Sequence, residues 1–266
     1  MTPRFRSFGN SGVRRARPLV TVLLACVVAA SCARAHSTYR PHDPQLQREP
    51  LYFYPARGET KPKAGIFFLG NDLGFWGPHQ KLAQRLADHG YAVVGFDIKD
   101  FLGRYPDSAA LRDSVLVHDI PLLMKRALHE LGADNQPIIL AGHSFGADLA
   151  LWTEAHARMP GVVGVLALGP TKRDHPTVTI RDEINSGEPT EPGSFAVVDE
   201  IRGTPANVRI TLMRGASDKE RTSDSQFIEA GGSRMTYTII PFASHSLKSL
   251  IIVGPMIEHA VDDLVY

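Results

Sequence analysis

The chain has 266 residues, 43% hydrophobic and 21% charged, with 29 Lys and Arg against 28 Asp and Glu. This length and apolar content predict one ordinary domain or two small ones, and exclude a disordered chain, a collagen-like chain and a disulfide scaffold. Residues 1–31 contain five arginines and no acid, which leaves 24 of the 29 basic residues against all 28 acidic ones in the remainder. An acidic remainder without a basic cluster argues against a nucleic-acid partner.

The N-terminal segment has the pattern of a secretory signal. Its arginines precede an uncharged apolar run from Leu19 to Ala30, too short to span a bilayer comfortably, and small residues follow. We therefore expect residues 1–31 to be an export signal and the protein to be periplasmic or lipid-anchored to the cell envelope. Cleavage after Ala35 and cleavage before Cys32 both fit the pattern. The second alternative resembles a lipoprotein site and makes Cys32 the lipid attachment point and membrane anchor.

Both cysteines, Cys26 and Cys32, lie in this leader, so the predicted domain contains no thiol. Disulfides, zinc–thiolate sites and a cysteine nucleophile are thereby excluded from it, and we expect no metal and no cofactor. Residues 36–50 contain three prolines and many polar groups without an apolar period. This composition predicts a tether over residues 32–50.

Apolar strands alternate with helices over residues 51–266, the predicted domain. The predicted strands cover residues 51–54, 64–69, 91–96, 138–141, 162–168, 208–213 and 235–240, and the predicted helices cover 78–89, 107–131 with a break at Pro121, 145–158 and 249–264. Near-continuous apolar strands separated by helices predict a mostly parallel sheet covered on both faces. Ligands bind such sheets beyond the carboxyl ends of the strands.

Residues 171–206 interrupt the alternation. They contain four prolines, many polar residues and only weak periodicity, directly after a predicted strand. Such a long segment predicts a lid or substrate-shaping insertion, with a plain surface loop as the alternative.

The motif Gly142-His143-Ser144-Phe145-Gly146 follows a predicted strand and precedes a predicted helix. A sharp strand-to-helix turn needs small flanking residues, and it presents the serine hydroxyl at the carboxyl edge of the sheet. A serine is a poor nucleophile unless an oriented base accepts its proton. Asp218 and His245 each follow the end of a later strand. We therefore expect Ser144 to be the nucleophile, His245 the base and Asp218 the acid, with Asp224 as the reserve acid.

Acyl transfer through a tetrahedral intermediate also needs two donors for the oxyanion. The N–H of Phe145, directly after the nucleophile, is the first expected donor. The second is expected from the loop Gly70-Asn71-Asp72-Leu73-Gly74, whose glycines suit an anion-binding turn. Asn71 is the first choice there and Asp72 the second.

The elbow, the acid and the histidine, in this order, resemble the α/β-hydrolase superfamily over residues 51–266. Within it, the loop GNDLGFW, the stretch GYAVVGFDIKDFLGRYP and the elbow GHSFGAD are similar to the VirJ/AcvB family of exported bacterial envelope proteins. The wider resemblance implies an α/β-hydrolase fold with Ser144, Asp218 and His245 as its triad. The narrower one implies hydrolysis of aminoacyl esters of phosphatidylglycerol and an association with secretion machinery.

We therefore expect a serine esterase that acts on a small-molecule or lipid ester. The ammonium group of an aminoacyl lipid needs a carboxylate near the mouth of the site, and Asp72 and Asp100 are the candidates. Two alternatives remain at this stage. One is a non-catalytic protein with a hydrolase fold that binds an envelope or secretion-system partner, and the other is a serine peptidase of the same architecture.

Overall fold

The computed structural model describes residues 37–58, 60–105, 114–176 and 193–266. Its strands are β1 (Leu51–Tyr54), β2 (Gly65–Leu69), β3 (Ala92–Phe96), β4 (Ile138–His143), β5 (Val162–Leu168), β6 (Arg173–Asp174), β7 (Phe195–Ala196), β8 (Arg209–Gly215) and β9 (Met235–Ile240). Its α-helices are α1 (Gly77–Asp88), α2 (Ile98–Leu102), α3 (Ile120–Glu130), α4 (Phe145–Ala157), α5 (Val197–Gly203), α6 (Asp224–Gly231), α7 (Leu247–Leu250) and α8 (Gly254–Val265). A π-helical turn covers Val115–Asp119, and short 3-10 segments cover Leu46–Arg48, Lys219–Ser223, Gly232–Arg234 and Ile251–Val253.

Seven strands form one sheet in the order β1-β3-β2-β4-β5-β8-β9. The edge strand β1 pairs antiparallel with β3, and every other neighbouring pair in this sheet is parallel. All residues of β2 and β3 are buried, which explains their unbroken apolar sequence. The predicted strands therefore correspond to the observed sheet, and the carboxyl ends of β4, β8 and β9 lie at one edge.

Helices cover both faces of the sheet. On one face, Leu128 of α3 and Leu149 of α4 belong to a large apolar cluster with β3, β4 and β5. On the other face, Leu82 of α1 and Val261 of α8 pack in a second cluster. This two-sided packing fixes the strand ends from which the polar side chains of the site project.

The helix predicted over residues 107–131 is interrupted close to Pro121, where a break was expected. Within the part that the structure describes, a π-helical turn ends at Asp119 and α3 begins at Ile120, so Pro121 lies in the first turn of α3. Proline has no N–H to donate to the preceding turn, which fits a change of helix type at this point. Residues 107–113 of that prediction lie outside the described residues.

The prediction of a tether is wrong for residues 37–50, which pack against the domain. Leu46 is 2% exposed, and the Tyr39 ring lies 5.9 Å from that of Phe53, while its hydroxyl donates to Glu130. Arg126 pairs with Asp43 at 2.5 Å. Leu46 and Tyr39 form no periodic apolar pattern, so hydrophobic periodicity does not detect them. Their contacts nevertheless attach this short segment to the surface of the domain.

Residues 171–206, the expected insertion or lid, contain regular structure near both of their ends. The strands β6 and β7 pair antiparallel, and α5 follows directly and packs on α4. A helix of seven residues is too short to produce a clear helical period in the sequence. The middle of the expected lid, residues 177–192, lies outside the described residues.

Candidate active site

The turn between β4 and α4 holds Ser144 in a backbone conformation that residues other than glycine rarely adopt, with φ 53° and ψ −124°. Both flanking glycines are needed for it. A Cβ atom on Gly142 would collide with the Gly146 carbonyl, and one on Gly146 would collide with the Gly70 carbonyl. The backbone therefore stores strain at this turn and directs the Ser144 hydroxyl to the carboxyl edge of the sheet.

Ser144, His245 and Asp218 form one chain of hydrogen bonds across three strand ends. The Ser144 Oγ lies 2.9 Å from His245 Nε2, and His245 Nδ1 lies 3.0 Å from Asp218 Oδ2. The Asp218 side chain is 1% exposed, whereas that of His245 is 38% exposed. A buried carboxylate thus orients a partly accessible imidazole whose other nitrogen meets a serine hydroxyl.

The surroundings of Asp218 keep its carboxyl ionised. Burial raises its pKa, but the hydrogen bonds from His245 and the Glu220 N–H and the charge of Arg214 outweigh burial and lower the pKa to about 2. Because an ionised carboxylate only accepts hydrogen bonds, His245 Nδ1 must carry its proton. His245 Nε2 is then free to accept the hydrogen of the Ser144 hydroxyl.

Arg214 is a buried residue of the site that the sequence analysis missed. It donates from Nη1 to Asp218 Oδ2 at 3.0 Å and from Nη2 to the Pro170 carbonyl at 2.5 Å. Its Nε lies 2.7 Å from Asp224 Oδ1, an ion pair whose N–H is not aimed at the oxygen. The available signal in the sequence was an arginine directly after the predicted strand 208–213.

Asp224, the reserve acid, does not contact His245. Besides its ion pair with Arg214, it accepts a short hydrogen bond from the Tyr237 hydroxyl. The two aspartates therefore lie on opposite sides of one buried guanidinium, and Asp218 is the one next to the imidazole.

The two expected oxyanion donors lie on adjoining backbone segments. Phe145 is the first residue of α4, so its N–H has no acceptor within the helix. Asn71 is buried in a tight turn, where its carbonyl accepts from the Gly74 N–H at 2.8 Å. The close approach of Gly146 to the Gly70 carbonyl sets this turn directly against the strand-to-helix turn.

Asp97 shapes the same turn and was not anticipated. Its Oδ2 accepts from the Phe75 N–H at 3.1 Å and its Oδ1 caps α2 by accepting from the Asp100 N–H at 3.0 Å. The Phe75 ring lies where a Cβ atom of Gly95 would be, so no larger residue fits there. The end of β3 therefore fixes the turn that contains Asn71.

The two carboxylates expected to meet a substrate ammonium group differ in their surroundings. Asp72 is half-buried in the same turn as Asn71, and within the described residues it forms no ion pair. Asp100 is exposed and pairs with Arg104 at 2.8 Å, and Arg104 also contacts Glu49. The Asp100 carboxylate is thus already neutralised by a neighbour.

A cavity of 310 Å³ lies beside the imidazole and the acid. Three hydroxyl side chains and several ionisable ones line it. The lining residues are Thr171, Ser217, Asp218, Lys219, Glu220, Ser244 and His245. Such a volume is at the lower end of the range for small-molecule pockets.

Among the described residues, no group of three His, Cys, Asp or Glu side chains is arranged to hold a metal ion. Within the same ranges, none of the helices has the length and apolar content that a bilayer span requires. Cys32, the expected lipid attachment point, lies outside the described residues.

No protein-family model and no curated protein matches the chain. Solved structures do match. A soluble variant of monoglyceride lipase from Saccharomyces cerevisiae, in complex with a substrate analog, is 16% identical, with 86% of this chain and 98% of that chain covered and a TM-score of 0.59. An alpha-beta serine hydrolase homologue from Coxiella burnetii is 16% identical (79% and 90% covered, TM-score 0.57). Esterase 2 of Thermogutta terrifontis, phosphonylated by cyclosarin, is 17% identical (80% and 86% covered, TM-score 0.54). This likeness shows that the chain has the α/β-hydrolase fold, which confirms the predicted fold class.

Proposed function

We propose that the protein is a serine esterase in which Ser144, His245 and Asp218 are the nucleophile, base and acid. The observation that carries the proposal is the continuous path of hydrogen bonds from the Ser144 hydroxyl through both nitrogens of His245 to a buried carboxylate. Three such groups, each on a different strand end, have no structural task that requires this alignment. The occurrence of an esterase and a lipase among the structures of the same fold supports the same conclusion.

The proposed reaction follows from the protonation states. His245 Nε2 removes the Ser144 proton as Oγ attacks the ester carbonyl, and the imidazolium so formed is stabilised by Asp218. The tetrahedral oxyanion accepts hydrogen bonds from the N–H groups of Phe145 and Asn71. His245 then gives its proton to the leaving alcohol, which leaves an acyl ester on Ser144. Water, deprotonated by His245, attacks that ester. The bond from the acyl carbon to Ser144 Oγ then breaks, His245 returns the proton to Oγ, and the acid is released.

The proposed substrate class is a lipid ester with an amino group, such as an aminoacyl phospholipid. Its support is the similarity of the Asn71 loop, the β3 region and the elbow to the VirJ/AcvB family. Asp72, half-buried beside Asn71 and without an ion pair in the described ranges, is the carboxylate best suited to meet the ammonium group. Asp100 is the weaker candidate because Arg104 already pairs with it.

Discrimination between esters tests the substrate proposal. We expect Asp72→Asn to lower kcat/KM for a cationic aminoacyl ester about 10-fold relative to a neutral ester of equal size, while Asp100→Asn changes this ratio less than twofold. An unchanged ratio in Asp72→Asn would remove the assignment of Asp72.

We also propose export to the cell envelope, with a lipid on Cys32 as the anchor. The support is the basic leader followed by a short apolar run and small residues. Incorporation of labelled palmitate by the full-length wild type, and its absence in Cys32→Ala, is the expected result. Equal incorporation by both, or none, would leave a soluble periplasmic product as the better interpretation.

Hydrolysis of 4-nitrophenyl butyrate tests the esterase proposal. The wild type should release nitrophenolate with saturable kinetics, and Ser144→Ala should lose activity by on the order of 10³-fold or more. Equal rates in the two proteins would show that the activity comes from elsewhere. A peptide substrate cleaved at a comparable kcat/KM would favour the peptidase alternative.

A further inference from the structure

The imidazole of His245 projects from the irregular loop Pro241–Ser246, between β9 and α7, and this loop needs anchors to hold the ring in place. The loop after β8 that contains Asp218 supplies one anchor. Ser217 in this loop donates to the Ala243 carbonyl from its N–H at 2.9 Å and from its hydroxyl at 2.7 Å. The following helix supplies another, because the Ser244 N–H donates to Ser249 Oγ at 2.9 Å. Neither of these anchors comes from the strand that carries the nucleophile.

His143, the last residue of β4, connects the strand that leads to the nucleophile with the loop of His245. Its Nε2 lies 2.9 Å from the backbone carbonyl oxygen of His245, and its side chain is buried. A carbonyl oxygen only accepts hydrogen bonds, so Nε2 of His143 must be the donor. The residue directly before the nucleophile therefore holds the main chain of the residue that must reach the nucleophile.

The packing around His143 keeps this donor uncharged. Burial lowers the pKa of His143 to about 4 and that of His79 to about 3, and the two rings lie 5.4 Å apart. The His143 ring is 5.7 Å from that of His245. A neutral imidazole can hold the carbonyl without placing a second cation beside the imidazolium that His245 becomes during acyl transfer.

We propose that His143 is a positioning residue, which fixes the distance between His245 and Ser144 by donating from Nε2 to the His245 carbonyl. This inference rests on the proposed esterase function and extends it. Because His143 and Ser144 are neighbours in the chain, a movement of the strand-to-helix turn carries base and nucleophile together. Displacements of the order of an ångström at a reacting group cost about 100-fold in rate, so such coupling has a measurable value.

A pair of substitutions separates the hydrogen bond from the volume of the ring. His143→Leu fills much of the space without a donor, whereas His143→Gln places an amide N–H near the position of Nε2. With 4-nitrophenyl butyrate, we expect His143→Leu to lower kcat about 10- to 100-fold with KM changed less than about threefold, and His143→Gln to recover kcat to within about fivefold of the wild type. Equal kcat values in the Leu and Gln variants, whether high or low, would overturn the proposal.

His79→Leu is the matched control, because His79 is equally buried beside His143 and no hydrogen bond joins its ring to the loop of His245 in the described structure. We expect its kcat to stay within about twofold of the wild type. A loss of kcat as large as that of His143→Leu would assign the effect to packing of the cluster instead. Urea unfolding of all three variants shows whether each is folded under the assay conditions.

Histidine-selective ¹⁵N NMR of the wild type examines the contact itself, independently of turnover and of whether the Leu variant folds. We expect His143 as the Nε2–H tautomer at pH 7, with a proton protected from exchange with solvent. The Nδ1–H tautomer or a rapidly exchanging proton would overturn the proposal even in an active enzyme. Absence of ester hydrolysis in a wild type with the protected proton would instead show that the proposed function is wrong.

Discussion

At the scale of single residues, Arg214 contacts two carboxylates, and the other contacts of each carboxylate distinguish their roles. Asp218 contacts His245, whereas Asp224 accepts from the Tyr237 hydroxyl. The sequence indicated Asp218 through its place after a strand and kept Asp224 in reserve. It could not indicate Arg214, because the carboxylates that this side chain meets depend on how α6 and β9 pack against β8.

We expect Asp218→Asn to lower kcat for 4-nitrophenyl butyrate by on the order of 10³- to 10⁴-fold, since the imidazole loses its orienting carboxylate. Asp224→Asn, which removes a charge from the same guanidinium without touching His245, should cost about 10-fold or less. Initial-rate kinetics on both purified variants provide the comparison. A larger loss in Asp224→Asn would transfer the role of the acid to Asp224.

The same carboxylate predicts a dependence of stability on acid. The pKa of Asp218 is lowered from 3.8 to about 2 in the folded protein, so the ionised form stabilises the fold. This contribution, about 2 kcal/mol, is complete above about pH 4 and is lost as the pH falls towards 2. Urea unfolding at pH 5 and pH 2.5 should show a loss in the wild type that exceeds the loss in Asp218→Asn by about this amount.

Asp100→Asn is the control for this measurement, because it removes an exposed carboxylate from a surface salt bridge with Arg104. Its free energy of unfolding should fall with pH as that of the wild type does. A wild type and an Asp218→Asn variant with parallel pH profiles would show that the Asp218 carboxyl is not stabilised in its ionised form.

At the scale of elements, the turn between β4 and α4 could be predicted because its requirements are local. An apolar strand, two glycines around a serine and a helix lie within twenty residues of sequence. The turn at Asn71 was predictable as a glycine-rich loop, but not its conformation, since that depends on Asp97 at the end of a different strand. Features that depend on residues close in sequence could be predicted, whereas contacts between elements distant in the chain could not.

We expect one added methyl group in the strand-to-helix turn to have a large effect on the free energy of unfolding. Gly146→Ala should destabilise the protein by about 3 kcal/mol or more, because its Cβ collides with backbone atoms of Leu69 and Gly70 that cannot move cheaply. Gly77→Ala is the matched control at the start of α1, where a Cβ would meet nothing, and should be neutral or slightly stabilising. Equal urea midpoints for Gly146→Ala and the wild type would contradict the tight contact.

At the scale of the whole molecule, the mostly parallel sheet and its two covered faces follow the predicted alternation of strands and helices. Residues 37–50 do not follow the prediction, because their attachment depends on Leu46, Tyr39 and ionic contacts to α3 rather than on any repeated pattern. The domain therefore begins earlier than the sequence pattern suggests.

This attachment makes Leu46 a test of the domain boundary. Leu46→Ala should lower the free energy of unfolding by about 2 to 4 kcal/mol, the usual cost of truncating a buried leucine. Leu122→Ala, at a position that is 64% exposed, should change it by less than about 0.5 kcal/mol. A neutral Leu46→Ala would show that residues 37–50 behave in solution as the tether that the composition predicted.

The central claim is that Ser144 is a nucleophile activated by His245, and intact-protein mass spectrometry after exposure to a fluorophosphonate tests it most directly. The account predicts one covalent phosphonyl adduct per wild-type chain, mapped to the peptide that contains Ser144, strongly slowed in Asp218→Asn and absent in Ser144→Ala. A wild type without an adduct, or an adduct that persists in Ser144→Ala, would contradict it.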